Sequence, residues 1–363
     1  MEREQTSFQV KNQYEQIDCA LEQHKAKKVL LVCGSSITSL QVYQHLNSQL
    51  FQSQFKLIRF SEFEPNPRYE SVVKGVNVFR QGNCDTILAI GGGSAIDVAK
   101  CIKVFATMDP SQSYLQQEIQ TNTIPLLVMP TTAGTGSEAT RFAVIYENGV
   151  KQSVLHESCI PAVIFFDETT LEGLPIYQKK TTILDALCHG IESYWSRRAT
   201  NTSRAYARES ITLILQYMEQ YLVGNVEVND HIMKASYLAG KAIDLSQTTA
   251  AHAMSYKLTS LYGIAHGQAV AMCLPHIWEY MLEQADNELI QIFHEIADAM
   301  GDDCVENAIR HMGMILEQME FEPIKVRSTK ELEQLVESVN LARLQNNPIM
   351  LDTDTIQMIY ETI

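Results

Sequence analysis

Along the first half of the chain, short apolar runs alternate with stretches of helical periodicity. Residues 8–24 read as a helix and KKVLLVCG (27–34) as a buried strand. Residues 36–49 look helical, FKLIRF (55–60) extended, 68–82 helical and TILAI (86–90) extended again. A helix over about 94–108 precedes the apolar run IPLLVMP (124–130). Strands alternating with helices at this pitch predict βαβ units and a parallel sheet. FAVIYENGVKQSVLHE (142–157) departs from the pattern, because its two extended runs flank Asn148-Gly149, a hairpin signal. PAVIFFD (161–167) adds one further buried strand.

After about residue 176 strand-like runs disappear, helical periodicity dominates, and Pro and Gly become sparse. A chain of 363 residues is comfortable for two domains. The pattern therefore predicts an α/β domain over 1–175, with a mostly parallel sheet, and an all-α domain over 176–363. There is no internal repeat and no low-complexity stretch.

Composition narrows the possible partners. Apolar residues make up 45% and charged residues 20%, as in ordinary globular chains. A formal charge of −15 argues against nucleic acid, which wants a basic face. A small anionic substrate needs only a few local cations. No apolar run approaches the roughly 20 residues of a membrane helix, and MEREQTSFQVKNQYEQ lacks the apolar core of a secretory signal. Eight scattered cysteines without a CxxC pair suit reduced thiols, so a cytoplasmic location is expected.

Two loops carry candidate chemistry. TILAI runs into Gly91-Gly92-Gly93-Ser94-Ala95-Ile96-Asp97, a strand, a glycine turn and a helix start. Free N–H groups and the helix dipole favour an anion there, and glycines let backbone approach a pyrophosphate. The same residues also suit a tight βα turn with Ser94 as N-cap. IPLLVMP is followed by Thr131-Thr132-Ala133-Gly134-Thr135, again small residues at the carboxyl end of a strand. Open α/β sheets hold their ligands at that edge.

The second half offers metal ligands. Asp185 and His189 stand four apart in ILDALCHGIESYW and would share a helix face, about 6 Å apart along its axis. His252 and His266 follow, with Gly263 breaking the segment between them. A helix, a turn and a second helix start could bring both imidazoles to one point. Three imidazoles and a carboxylate suit Fe²⁺ or Zn²⁺. Spacing alone equally allows each histidine to be an ordinary core or surface residue.

Taken in order, GGGSAIDVAK, PTTAGTGSEAT, DALCHGIESYW and the pair His252/His266 resemble the iron-containing (group III) alcohol dehydrogenase family. The resemblance runs from KKVLLV to LPHIWEYM and implies the dehydroquinate synthase-like fold, a dinucleotide-binding domain followed by a helical one. It implies Fe²⁺ or Zn²⁺ held by Asp185, His189, His252 and His266. It also implies NAD(P)H along Gly91, Gly92, Gly93, Ser94, Thr131, Thr132 and Thr135, with Asn66 and Asp97 close by. The activity implied is hydride transfer between nicotinamide and a small alcohol or aldehyde, by an enzyme that forms a homodimer or larger homo-oligomer.

Departures from the family pattern bear on specificity. Many relatives end the first strand of the dinucleotide domain with an Asp that rejects a 2′-phosphate. Here that strand runs into Gly34, Ser35 and Ser36, so NADPH is expected to be accepted. Tyr256 stands where many relatives carry a further His near nicotinamide. As a catalytic group it would donate to the substrate or relay a proton; otherwise it packs. HAMSYKLTSLYGIAHGQAVAMCLPH looks most like the subgroup that reduces phosphonoacetaldehyde to 2-hydroxyethylphosphonate. A dianionic substrate needs cations, for which Arg141 and Lys257 are the candidates. The rivals are a general short-chain alcohol dehydrogenase, a dehydroquinate-synthase-like lyase, and a silent dinucleotide sensor.

Overall fold

The computed structural model describes residues 5–11, 13–326 and 328–363 and divides into two compact units, residues 1–174 and 175–363.

The first unit is built on eight strands: β1 (Thr6–Gln9), β2 (Lys28–Cys33), β3 (Lys56–Phe60), β4 (Thr86–Gly91), β5 (Leu126–Pro130), β6 (Phe142–Glu147), β7 (Val150–Leu155) and β8 (Val163–Phe166). Six form one wholly parallel sheet in the order β1-β8-β5-β4-β2-β3. Its central strands β2, β4 and β5 are apolar and buried nearly throughout, as a sheet covered on both faces requires. The helices are α1 (Glu15–Gln23), α2 (Gln41–Leu46), α3 (Gln49–Gln54), α4 (Tyr69–Gln81) and α5 (Gly93–Phe105). β6 and β7 pair antiparallel around Asn148 and Gly149, both at positive φ, as the hairpin signal predicts.

Strand β3 lies on one side of β2, and β4 returns to the other. The chain direction thus reverses between β2 and β4, and an open parallel sheet opens a crevice at the carboxyl ends of such neighbours. The loops there are Gly34–Ser36 and Gly91–Gly93, with Thr131–Thr135 following β5 alongside.

Two local expectations need correction. The helix expected over 8–24, of which residue 12 lies outside the described residues, is a strand and then a shorter helix. β1 is mostly exposed and polar, and only its pairing with β8, where Phe8 stacks on Phe165 at 5.9 Å, makes it a strand. Residues 36–49 are not one helix. A 3-10 turn over Ser35–Ser39 gives way to α2, and Ser48 caps α3 by accepting from the Phe51 N–H.

The second unit is all-α: α6 (Ile176–Trp195), α7 (Asn201–Leu222), α8 (Asn229–Ser246), α9 (Ala250–Tyr262), α10 (His266–Gln284), α11 (Asn287–Met300), α12 (Val305–Gln318), α13 (Thr329–Ser338), α14 (Leu341–Leu344) and α15 (Thr353–Thr362). α6 is its axis, packed by α7, α8, α10 and α11 and buried without a break over residues 183–195. A helix buried on every side is normally apolar, yet α6 carries Asp185, His189 and Glu192 into the interior. Buried charge persists only where it is paired or binds a metal, and those residues lead to the site. No helix among the described residues is long and apolar enough to cross a membrane.

Candidate metal centre and dinucleotide loops

Asp185, His189 and Glu192 stand at i, i+4 and i+7 on α6 and therefore share one face. α9 brings His252 against that face. Gly263 ends α9 in the left-handed conformation (φ 69°), and α10 starts three residues later on His266. The turn sets the His252 and His266 rings 5.3 Å apart, and those of His189 and His252 stack at 4.5 Å.

The Nε2 atoms of His252, His266 and His189 lie 3.6, 3.9 and 4.0 Å from a single oxygen, Asp185 Oδ1. Ligands about 2.1 Å from one tetrahedral ion stand about 3.4 Å apart, close to these separations. One potential ligand atom each from Asp185, His189 and His252 falls within a mutual 4.8 Å, and all three side chains are buried. Asp185 Oδ1 and His252 Nε2 are shut from solvent and make no hydrogen bond among the described residues. Two facing lone pairs without a donor suit a cation, so the donor set fits Fe²⁺ or Zn²⁺. His266 is the most open of the four, its side chain 33% exposed.

Electrostatics follow from the grouping. Burial works against charge on Asp185, but His189, His252 and His266 outweigh it and hold the carboxyl below the usual range. Burial opposes protonation of His252, yet Glu192 and Asp185 push it up to about 9. A cation here competes with that proton, so metal uptake is coupled to its release.

Glu192 was not singled out by sequence reasoning, although it lies within the same motif. Its Oε2 faces His252 Nδ1, and its Oε1 accepts from the N–H groups of Thr249 and Ala251, each at 3.0 Å. Spacing could have found it, since i, i+4, i+7 marks a third polar residue on a buried face. His266 is steadied differently. Its Nδ1 lies 3.3 Å from Ser255 Oγ, whose hydroxyl donates to the His252 carbonyl at 2.9 Å. Tyr256 stacks on the His266 ring at 5.5 Å and 7°, and the Arg343 guanidinium lies 5.2 Å from the centre of the Tyr256 ring.

In the first unit, the two loops touch. A Cβ at Gly92 would lie 3.0 Å from Thr132 Oγ1, and one at Gly93 only 2.7 Å from Thr135 Oγ1. The Thr131 N–H donates to the Gly91 carbonyl at 3.0 Å. The glycines thus admit the neighbouring threonine loop as well as leaving backbone accessible. Ser94 is not the N-cap of α5; Gly92 occupies that position, and Ser94 sits in the first turn. Asp97 accepts from Ser137 Oγ at 2.6 Å and from the Val144 N–H at 3.0 Å, so both carboxylate oxygens tie the loop to β6. Gly34 and Ser35 follow β2, with Ser35 exposed. Asn66 adopts positive φ (57°) in the loop before α4 and is exposed. Arg59, which the sequence reading did not mark, lies exposed on β3 and donates to the Gly34 carbonyl at 3.3 Å.

Of the two candidate anion-binding cations, Arg141 is paired with Glu157. Lys257, half-buried on α9, has no ion pair among the described residues.

Residues 5–168 match the family model for iron-containing alcohol dehydrogenases, and residues 179–363 match the C-terminal model of the same family. The chain is 33% identical over 284 residues to 1,3-propanediol dehydrogenase of Citrobacter freundii, covering 76% of this chain and 72% of that one. It is 29% identical over 293 residues to NAD-dependent methanol dehydrogenase of Bacillus methanolicus, covering 79% and 76%. Among solved structures, an iron-containing alcohol dehydrogenase from Thermotoga maritima superposes with a TM-score of 0.86 at 29% identity, covering 99% of this chain and 97% of that one. The chain belongs to the iron-containing alcohol dehydrogenase family and is an oxidoreductase. The family's enzymes work with NAD(H) and with iron or another divalent metal ion, on small alcohols and aldehydes.

Proposed function

We propose that this chain is a metal-dependent aldehyde reductase whose four metal ligands are Asp185, His189, His252 and His266. The observation that carries the reading is the approach of three imidazole Nε2 atoms to one orphaned carboxylate oxygen inside a helical unit. Residues 1–175 would bind the dinucleotide along Gly91–Ser94, Thr131, Thr132 and Thr135, beside the reversal between β2 and β4. Asn66 would flank it, and Asp97 would hold the loop in shape rather than touch the ligand. When bound, the dication supplies a Lewis acid that polarises the aldehyde oxygen toward hydride from NAD(P)H. The chain's own part is to fix the ligands, keep the site dry and hold His266. Tyr256 serves that last task through its stacked ring.

For the substrate we carry forward phosphonoacetaldehyde, reduced to 2-hydroxyethylphosphonate. Lys257 supports it better than Arg141, because Arg141 is paired with Glu157 whereas Lys257 has no ion pair among the described residues. The cofactor preference proposed is NADPH, with Gly34, Ser35 and Arg59 facing the 2′-phosphate. No carboxylate ends β2 to repel that group, and an exposed guanidinium stands beside Gly34 instead. A homo-oligomer in the cytoplasm completes the reading, in keeping with eight cysteines that are all free thiols.

The test is to load the apoprotein anaerobically with Fe²⁺ or Zn²⁺ and follow NADH and NADPH absorbance against an aldehyde panel that includes phosphonoacetaldehyde. Steady oxidation that disappears in Asp185→Ala is expected. A loss of kcat/KM in Lys257→Met for the phosphonate but not for propionaldehyde would assign the substrate. Dinucleotide binding without oxidation of NAD(P)H by any aldehyde would overturn the reductase reading in favour of a lyase or a sensor.

A further inference from the structure

We propose that Glu192 is a positioning residue for the metal: one buried carboxylate caps α9 and fixes the His252 tautomer, so that Nε2 is the lone pair presented beside Asp185. The inference rests on the ligand set proposed above and extends it to a residue that binds no metal itself.

The carboxylate divides its two oxygens between two tasks. Oε1 accepts from the Thr249 hydroxyl at 2.6 Å and from the N–H groups of Thr249 and Ala251 at 3.0 Å, with the His252 N–H at 3.4 Å. Those amides belong to the N-cap and first turn of α9, where no intrahelical partner exists. Thr249 itself makes no side-chain cap, so a carboxylate from α6 supplies what the local sequence omits. The positive end of the α9 dipole favours the negative charge. Oε2 meets the same helix at His252 Nδ1. Since an ionised carboxylate only accepts, that contact requires Nδ1–H and leaves Nε2 bare.

Three further points make this more than a helix cap. Glu192 is fully buried, and among the described residues its carboxylate's hydrogen-bond partners lie between Thr249 and His252. Asp185 and Glu192 also bring two negative charges to one face of α6, which a dication with neutral imidazoles balances. Moreover, α6 alone carries two ligands and the group that orients a third, so the site is rigid along one helix. A hydrogen-bonded carboxylate behind a metal-bound histidine is typically worth 10–100-fold in metal affinity.

Glutamine is the discriminating substitution. It has one acceptor oxygen where Glu192 has two. It must either face its NH₂ to the α9 amides, losing the cap, or face it to Nδ1, forcing the proton to Nε2. We expect Glu192→Gln to bind Co²⁺ 10–100-fold more weakly than the wild type and to shift the visible ligand-field bands of the Co²⁺ protein. Glu192→Asp should recover part of both. Affinity within threefold of wild type with unchanged bands would overturn the proposal, whatever happens to the melting temperature, because a plain cap changes melting alone. Should Glu192→Gln not fold, ¹⁵N-histidine spectra of the Zn²⁺-loaded wild type decide instead. A protonated, low-field Nδ1–H at His252 is expected, and a metal bond at Nδ1 refutes the assignment. Asp185→Ala separates the two levels: unimpaired Co²⁺ binding there would refute the ligand set itself, not the role of Glu192 alone.

Discussion

Gly267 offers the sharpest test of how the metal centre is held. It follows His266 in the first turn of α10, where that helix meets α6. A Cβ there would lie 1.9 Å from the Thr181 carbonyl oxygen, 2.8 Å from Asp185 Cβ and 3.0 Å from the Asp185 nitrogen. Ordinary contact begins near 3.4 Å, so Gly267→Ala demands roughly 1.5 Å of extra separation. The nearest obstacle is backbone, not the end of a flexible side chain, and only a shift of α10 away from α6 relieves it. Alanine improves helix propensity by at most about 1 kcal/mol, while overpacking costs about 1–3 kcal/mol. At the full propensity gain the balance is a net loss of up to about 2 kcal/mol, seen as a fall of up to several degrees in the melting temperature of the apoprotein. The effect on the metal is larger. Ligand distances tolerate only about 0.2 Å, and the shift moves His266 against Asp185 and His189 by several times that. Competition with a chelator should show Co²⁺ or Zn²⁺ held at least 100-fold more weakly in Gly267→Ala. Metal affinity within threefold of wild type would refute the claim that this contact sets the ligand geometry. A normal melting temperature would refute the clash itself.

In the first unit, Gly93→Ala drives a methyl to 2.7 Å from Thr135 Oγ1 and 2.8 Å from its Cγ2, so NADPH affinity measured by calorimetry should fall at least tenfold. Thr135→Ser, which removes Cγ2, should recover part of the loss, and unchanged binding in Gly93→Ala would refute the loop contact. Glu138 carries a pH dependence. Burial pushes its carboxyl from 4.5 up to about 7, so between those values the native state keeps a proton that the unfolded chain has released. Unfolding free energy therefore falls as pH rises from about 4.5 to 7, by about 3 kcal/mol at most. Denaturant titrations should show Glu138→Gln flattening this slope and gaining most at pH 8; a parallel pH profile would refute it. Tyr256→Phe keeps the ring stacked on His266 and should retain kcat within threefold. A tenfold drop with intact metal content would make the hydroxyl, not the ring, the working part.

What the sequence made legible was whatever local periodicity carries. TILAI and IPLLVMP became β4 and β5 because central strands of a parallel sheet are apolar throughout, and Asn148-Gly149 turned the hairpin as its chemistry requires. β1 was not legible, because nothing within Thr6–Gln9 is strand-like until β8 offers it a partner. The single helix over 36–49 failed for local reasons, since Leu40 is extended between the Ser35–Ser39 turn and α2, and Ser48 caps the separate α3.

The same division explains the site. Asp185 and His189 are four apart on one helix, so their shared face was readable, and Gly263 correctly marked the break before His266. Convergence of the two pairs was not readable, since it depends on α9 and α10 packing against α6. Glu192 stayed hidden for the opposite reason. Its i+7 spacing from Asp185 marks a polar residue on the buried face but not its task, because its partners Thr249–His252 lie about sixty residues on. Arg59 is similar: it meets Gly34 only because β3 lies beside β2. Gly267 shows the limit most clearly. In the sequence it is one small residue in HGQAV, neutral between turn, helix and loop. In the fold it faces the Thr181 carbonyl and Asp185 on α6, where even a Cβ would meet backbone at 1.9 Å beside a proposed ligand. The candidate ligands could thus be picked out by spacing and by the family resemblance together, whereas the groups that would hold them at bonding distance are defined only by contacts between helices.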